Sequence, residues 1–413
     1  MRKGGENEKV HIFLVLTFLS VNVIAFDSQA TEESANWDVT GVYPIDVYDE
    51  TWADMTFAEQ LETVALPDEL VDSLSTEEMA EWVLSYPFLG DIFLFDSAEA
   101  SMDYFSRTSY LFRTFFARED VIEVLLNKFD ELQINYRMLT EDNVDGSDVF
   151  IESGYFKELF LQRYFATVIE ELSENEKLVL REILEEKYTE KSGICEDFTT
   201  ATLFYGDVLS EYGEIPAELV FQTDVFSYEL VEEQENLDAI APYSEGFSNS
   251  GQIVAYNQGY YYAGSYSKYG VAANCYMFFS GDLSPEEVQN SINYNATHHS
   301  SWVRVSDPTR KFNCHSYAWL QQSISNVYWL NTPSAFASSS AFSYIGANGG
   351  ANNGDHIIIT DSYGAPQHSL IATSTGTDCN GINTISKCGS SGIYYAILAD
   401  IFLVYGNGYE VYR

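Results

Sequence analysis

The charge of this chain changes abruptly near residue 250. Residues 1–250 hold 54 of the 63 Asp and Glu and 14 of the 20 Lys and Arg, while residues 251–413 hold only 9 and 6. Such a break predicts a domain boundary. A net charge of −43 also keeps the surface solvated. It repels nucleic acid, for which no basic patch is present, and it repels anionic polymers and anionic lipid.

The patterning changes at the same place. Residues 31–65 are acidic and poorly patterned and read as a tether. Residues 66–192 read as a helical domain. Capping-box sequences at Ser75–Glu78 and Ser173–Glu176 open helices, and apolar side chains recur at helical spacing over 97–116, 118–134 and 153–172. Residues 193–249 read as a connecting region. Alternation over 250–280 predicts strands, and Ser284-Pro285-Glu286-Glu287 starts a helix. Residues 334–353, rich in Ser, Ala, Gly and Asn, read as a loop, and 357–413 mostly as short strands. The fold class expected is α+β, an acidic helical domain followed by a domain with an antiparallel sheet over 250–413.

The amino terminus has the form of an export signal, expected to end at residue 30. Arg2, Lys3 and Lys9 precede an apolar run over 10–26, and Ser28-Gln29-Ala30 offers small residues for cleavage. The expectation is a secreted protein without stable membrane association after cleavage. Five cysteines leave at least one unpaired within a single chain. Cys379 and Cys388 are close enough in sequence to staple a hairpin, and Cys195 with Cys275 is a weaker pairing. That leaves Cys314 as a thiol.

Residues 312–319 read Phe-Asn-Cys-His-Ser-Tyr-Ala-Trp, which sets Cys314 at or near a helix N-terminus, a place that favours a thiolate. Gly354-Asp355-His356 then opens a strand, and after a turn His368 begins the next. A helix-borne Cys followed by a strand-borne His is the pattern of a thiol hydrolase. His368 is the favoured base and His356 the reserve. His315 is unsuitable because adjacent helical side chains diverge by about 100°. Ser386 or Asn383 would orient the imidazole. The N–H groups of Cys314 and His315, with the Asn313 side chain, are oxyanion donors in this reading. His298-His299 lacks a third ligand and reads as a solvated loop. Glu141–Glu152 approximates a calcium loop but starts on Glu, and reads as an acidic turn. Neither a metal nor a cofactor is expected.

Over roughly residues 300–400 these motifs resemble the NlpC-like and CHAP cell-wall amidases and endopeptidases. Cys314, Gly354-Asp355 and His368 fall on that family's positions. The chain is also similar to secreted Gram-positive proteins carrying an Asn-Cys-His-Ser-Tyr-Ala-Trp run. The resemblance implies a papain-like domain that cleaves an amide bond, with a peptide or peptidoglycan fragment as partner. It departs at His315, where a small residue is usual, and at the third position, filled by Ser386 or Lys387. Those departures support a rival reading, a non-catalytic secreted binding protein on the same scaffold.

Overall fold

The computed structural model describes residues 41–47, 49–95, 98–135, 153–169, 171–192, 247–248, 260–278, 282–283, 285–406 and 408–413. The expected leader at 1–30, the acidic turn at 141–152 and Cys195 lie outside these residues.

The first half is helical. In chain order come α1 (Glu50–Asp54), α2 (Phe57–Thr63), α3 (Asp68–Ser73), α4 (Thr76–Leu84), α5 (Ala98–Thr108), α6 (Tyr110–Phe116), α7 (Val121–Glu131), α8 (Tyr155–Val168) and α9 (Glu174–Ser192). A 3-10 turn at Leu89–Leu94 joins α4 to α5. Ser75 and Glu78 form the capping box that opens α4, and Ser173 and Glu176 exchange the same bonds before α9. The expected tether is partly a correction. Thr56 and Glu59 form a further capping box opening α2, and Trp52 and Phe57 are sealed in the core. Three or four large apolar anchors suffice to dock a short acidic segment, because its carboxylates still point to water.

The core of this half is aromatic. Phe105 stacks on Phe112 at 4.8 Å, and Phe160 meets both edge-on. No helix among the described residues is long and apolar enough to cross a membrane.

The second half begins with a small antiparallel sheet, β1 (Phe247–Ser248), β2 (Tyr260–Lys268) and β3 (Val271–Phe278), in that spatial order. Tyr269 and Gly270, both at positive φ, turn β2 into β3. Then come α10 (Pro285–His298), β4 (Val303–Arg304), α11 (Cys314–Trp319), α12 (Ser334–Ala337), β5 (Tyr344–Ala347), β6 (His356–Thr360), β7 (Pro366–Ala372), β8 (Asn383–Lys387), β9 (Ile393–Ile397), α13 (Leu398–Tyr405) and β10 (Gly408–Tyr412). Seven strands form an antiparallel sheet ordered β4-β9-β8-β7-β6-β10-β5. Three elements depart from the sequence reading: α12 and β5 form inside the expected loop at 334–353, and α13 interrupts the expected run of strands.

The charge boundary does not separate two cores. One continuous hydrophobic cluster runs from Trp82, Phe105 and Phe160 to Ile357, Leu370 and Ile401. The described residues of the two halves belong to one compact unit. The halves are also joined by polar contacts. Arg107 donates to the last carbonyls of α13, Leu403 O at 2.8 Å and Val404 O at 2.6 Å. Gly90 lets the 3-10 turn approach α10, since a Cβ there would lie 2.5 Å from the Tyr294 ring.

Candidate functional site

Asn313 builds the start of α11. Its Oδ1 accepts from Ser316 N at 3.1 Å, which caps the helix. The same oxygen accepts from Leu330 N at 3.3 Å, and Nδ2 donates to Leu330 O at 3.1 Å. The amide thus pairs with Leu330 as a neighbouring strand would. That bond uses one of the two Nδ2 hydrogens and holds the amide beside the start of α11. Cys314 follows as the first helical residue, a thiol only 2 % exposed. With six residues, α11 sums few peptide dipoles.

His315, Ala318 and Trp319 present one side of α11 to the sheet. His315 Nδ1 lies 2.8 Å from Ser369 Oγ, and Trp319 Nε1 donates to that oxygen at 3.0 Å. Ser369 therefore faces α11, as does Ile371, which packs in the same cluster as Ala318 and Trp319. Successive strand residues alternate faces. His368 accordingly points to the opposite side of the sheet. There it stacks on Tyr405 of α13, with ring centroids 3.8 Å apart and planes 10° off parallel. Leu370 and Ala372, which share its parity, belong to the main core. The structure does not bring Cys314 and His368 together.

The other expected site residues are placed as follows. Ser386 Oγ lies 3.6 Å from the Cys388 thiol, which packs in the main core, so Ser386 too is turned from α11. Asn383 is exposed at the start of β8. Lys387, at the other end of that strand, lies over the Phe312 ring with its Nζ 5.4 Å from the ring centroid. Four residues of strand put Asn383 about 13 Å from that end. His356 does face α11, but it packs on Trp319 at 4.4 Å and Phe342 at 4.9 Å. That is the far end of a helix about 7.5 Å long from Cys314.

Burial pushes the His315 and His356 imidazoles down to about 4, Lys268 adding to the effect at His356. His368 is also held well below its ordinary value, by burial and then by His315 and Lys387. Each ring resists the imidazolium form that would stabilise a thiolate. Each of the five described histidines also has a partner elsewhere. His298 stacks on Tyr294 at 4.1 Å and donates to Tyr294 O at 3.0 Å, and His299 donates to Asp91 Oδ1 at 2.8 Å. Both are buried in the core, correcting the solvated-loop reading. Tyr294 and Tyr104 hydroxyls donate to the same carboxylate.

The expected Cys379–Cys388 disulfide is not formed. Both are thiols, Cys379 in the 3-10 turn Cys379–Gly381 ahead of β8 and Cys388 directly after that strand. A five-residue strand spans roughly 16 Å, against a limit of about 7 Å between bridged Cα atoms. Cys275 is likewise a buried thiol, pushed up to about 12 by burial.

Sequence reasoning missed Ser369 and Trp319, and it named Lys387 only as an occupant of the third position. Lys387 is fully buried and donates to Gly389 O and to Ser391 O, holding the turn between β8 and β9. Among the described residues, no group of three or more His, Cys, Asp or Glu is placed to hold a metal ion. Comparison with family models, with curated proteins and with solved structures finds no match for this chain.

Proposed function

We propose that this chain is an exported binding protein that uses a helix-on-sheet scaffold resembling the papain-like one, and that it does not hydrolyse amide bonds. The observation that supports this reading is the parity of β7. Ser369, not His368, is turned to the helix that carries Cys314. A Cys-His hydrolase of this form turns its histidine toward the helix that carries the thiol. The residue beneath α11 is a serine whose oxygen already serves Trp319 and His315. Export rests on the charged start and apolar run of residues 1–30. The partner class is a peptide or a peptidoglycan fragment.

Alkylation kinetics on the native protein test this directly. Cys314 should react with iodoacetamide no faster than the buried Cys388, and more slowly than the half-buried Cys379. Turnover of peptide amides and of peptidoglycan fragments should be nil. Rapid alkylation of Cys314 near neutral pH, with turnover lost in Cys314→Ala, would overturn the proposal. It would restore the second reading, a cysteine hydrolase. One observation favours that reading: a thiol at the first residue of a capped helix.

A further inference from the structure

β5 is the end strand of the seven-stranded sheet, and β10 lies beside it. Tyr412 of β10 packs in one cluster with Trp319 and Ile371, so it is on the face that carries α11. Glu410, two residues before it, shares that face. Its Oε2 accepts from the Tyr412 hydroxyl at 2.6 Å. Across the strand pair, Tyr344 is opposite Tyr412 and Ala347 is opposite Glu410. A register shift between Val411 and Tyr412 takes up the extra residue of β5. The Tyr344 and Tyr412 rings meet at 5.6 Å and 62°. α11 reaches this row only through Trp319, which packs on His356 and Tyr412. Tyr344 lies beyond it and is 56 % exposed.

Glu410 is half-buried, and no Lys, Arg or His among the described residues forms an ion pair with it. Arg413, at the end of the same strand, is committed to Asp355 at 2.7 Å. Lys268 is spent on Leu320 O and on the Tyr269 ring. The chain that supplies β5 carries no Asp, Glu, Lys or Arg from Phe312 to Gly354. The carboxylate is therefore a single charge against an aromatic wall, bordered by uncharged chain. Burial, and then the bond to Glu410, push the Tyr412 hydroxyl above its ordinary value, so it stays a donor. That bond uses Oε2, and Oε1 has no donor among the described residues.

We infer that Glu410, Tyr344 and Tyr412 form a subsite for a cationic side chain, lysine or arginine, of a bound peptide. The inference rests on the binding-protein reading and names part of its partner. A cation within about 6 Å of a tyrosine ring is drawn to the ring face, and a carboxylate beside it supplies the counter-ion. Diagonal neighbours on one face of a strand pair lie about 7–8 Å apart, which leaves room for one ammonium or guanidinium between the Glu410 carboxylate and the Tyr344 ring. Ala347, opposite Glu410, adds only a methyl and does not fill that space. The exposed Tyr344 ring suits the alkyl stem of such a side chain. A neutral occupant would cover the carboxylate without neutralising it, and an anionic one would be repelled. A second copy of the chain would bring another Glu410 and another net charge of −43. That same charge steers cations to the protein.

The test uses the full chain and short Ala/Ser peptides carrying an uncharged dye, read by anisotropy. The peptides differ only at the central residue, which is lysine, arginine or norleucine. Lysine and arginine should bind about three- to tenfold more tightly than norleucine, which has a similar stem and no charge. Glu410→Gln should erase that preference and leave the norleucine peptide unaffected. It removes one of 63 acidic side chains, so the long-range attraction stays and only the local contact is lost. Glu77→Gln, at an exposed carboxylate on α4, should leave the preference intact. Tyr344→Leu should reduce it while keeping an apolar side chain on β5. Urea midpoints confirm that each variant is folded. Equal binding of the charged and norleucine peptides, a preference that survives Glu410→Gln, or no binding by any peptide would overturn the inference. Equal binding would still leave the binding-protein reading in place. A concentration-dependent dimer dissolved by Tyr344→Leu would also overturn it, by placing a second copy there. Cleavage of a bound peptide would refute the non-catalytic reading but leave the cation subsite assigned.

Discussion

Each face of the seven-stranded sheet lies over a polar cluster, and the two clusters are built differently. In the main core, the Asp91 carboxylate gathers Tyr104 from α5, Tyr294 from α10 and His299 from the residue just after α10. Under α11, Ser369 gathers His315 and Trp319 from one short helix. The first cluster joins the helical half to the sheet half, and its loss should be felt globally. The second fixes the rotation of one helix, which decides what Cys314 faces. Removing a carboxylate leaves three buried donors unserved. Removing a hydroxyl leaves two buried groups, both on one short helix.

The largest expected effect is therefore Asp91→Ala. It should destabilise by about 3–5 kcal/mol in urea unfolding, the cost of orphaning buried donors and an acceptor network. A loss under about 1 kcal/mol would mean that the halves are not held by this cluster.

Next comes the pair of neighbours on β7. Ser369→Ala should cost about 1–3 kcal/mol, because Trp319 Nε1 loses its acceptor in a buried site. His368→Phe keeps the stack on Tyr405 and removes a buried Nε2 that has no partner. It should change stability by less than about 1 kcal/mol. The reverse order would break the assignment of faces.

Acid should act through buried imidazoles on both sides of the sheet. His298, His315 and His356 are all held at about 4 in the folded chain against an ordinary 6.5, burial being the largest cause in each. Between those limits the unfolded chain binds more protons, so stability is complete above about 6.5 and falls as pH drops toward 4. Each histidine contributes a slope of up to about 1.4 kcal/mol per pH unit. His315→Phe should flatten the curve by one such increment, as read from urea midpoints across that range.

The smallest effect is on Cys379 and Cys388. Because β8 holds them apart, reducing agent should leave the melting temperature unchanged. A drop on reduction would indicate a disulfide between them and a different course for β8.

Much of the local structure was legible from side-chain chemistry alone. Ser75 with Glu78, Ser173 with Glu176, Pro285 and Asn313 all open helices where they should, because capping needs only residues within one turn. The site was legible only in its parts. Cys314 does begin a helix, His356 begins a strand, and His368 lies on the strand after it. The side of the sheet each residue faces was not legible. A half-exposed strand declares its faces by alternating polar and apolar residues. In β6, Ile357, Ile358 and Ile359 are all buried, and β7 is buried from His368 to Ala372. With α11 on one side and the main core on the other, both parities are apolar, so the pattern that would tell them apart is absent. The sequence by itself determined the helices, their caps and the order of the strands' chemistry. Only tertiary packing decided that Ser369 meets the Cys314 helix while His368 meets Tyr405, because a one-residue change of parity moves every side chain of a strand to the other face.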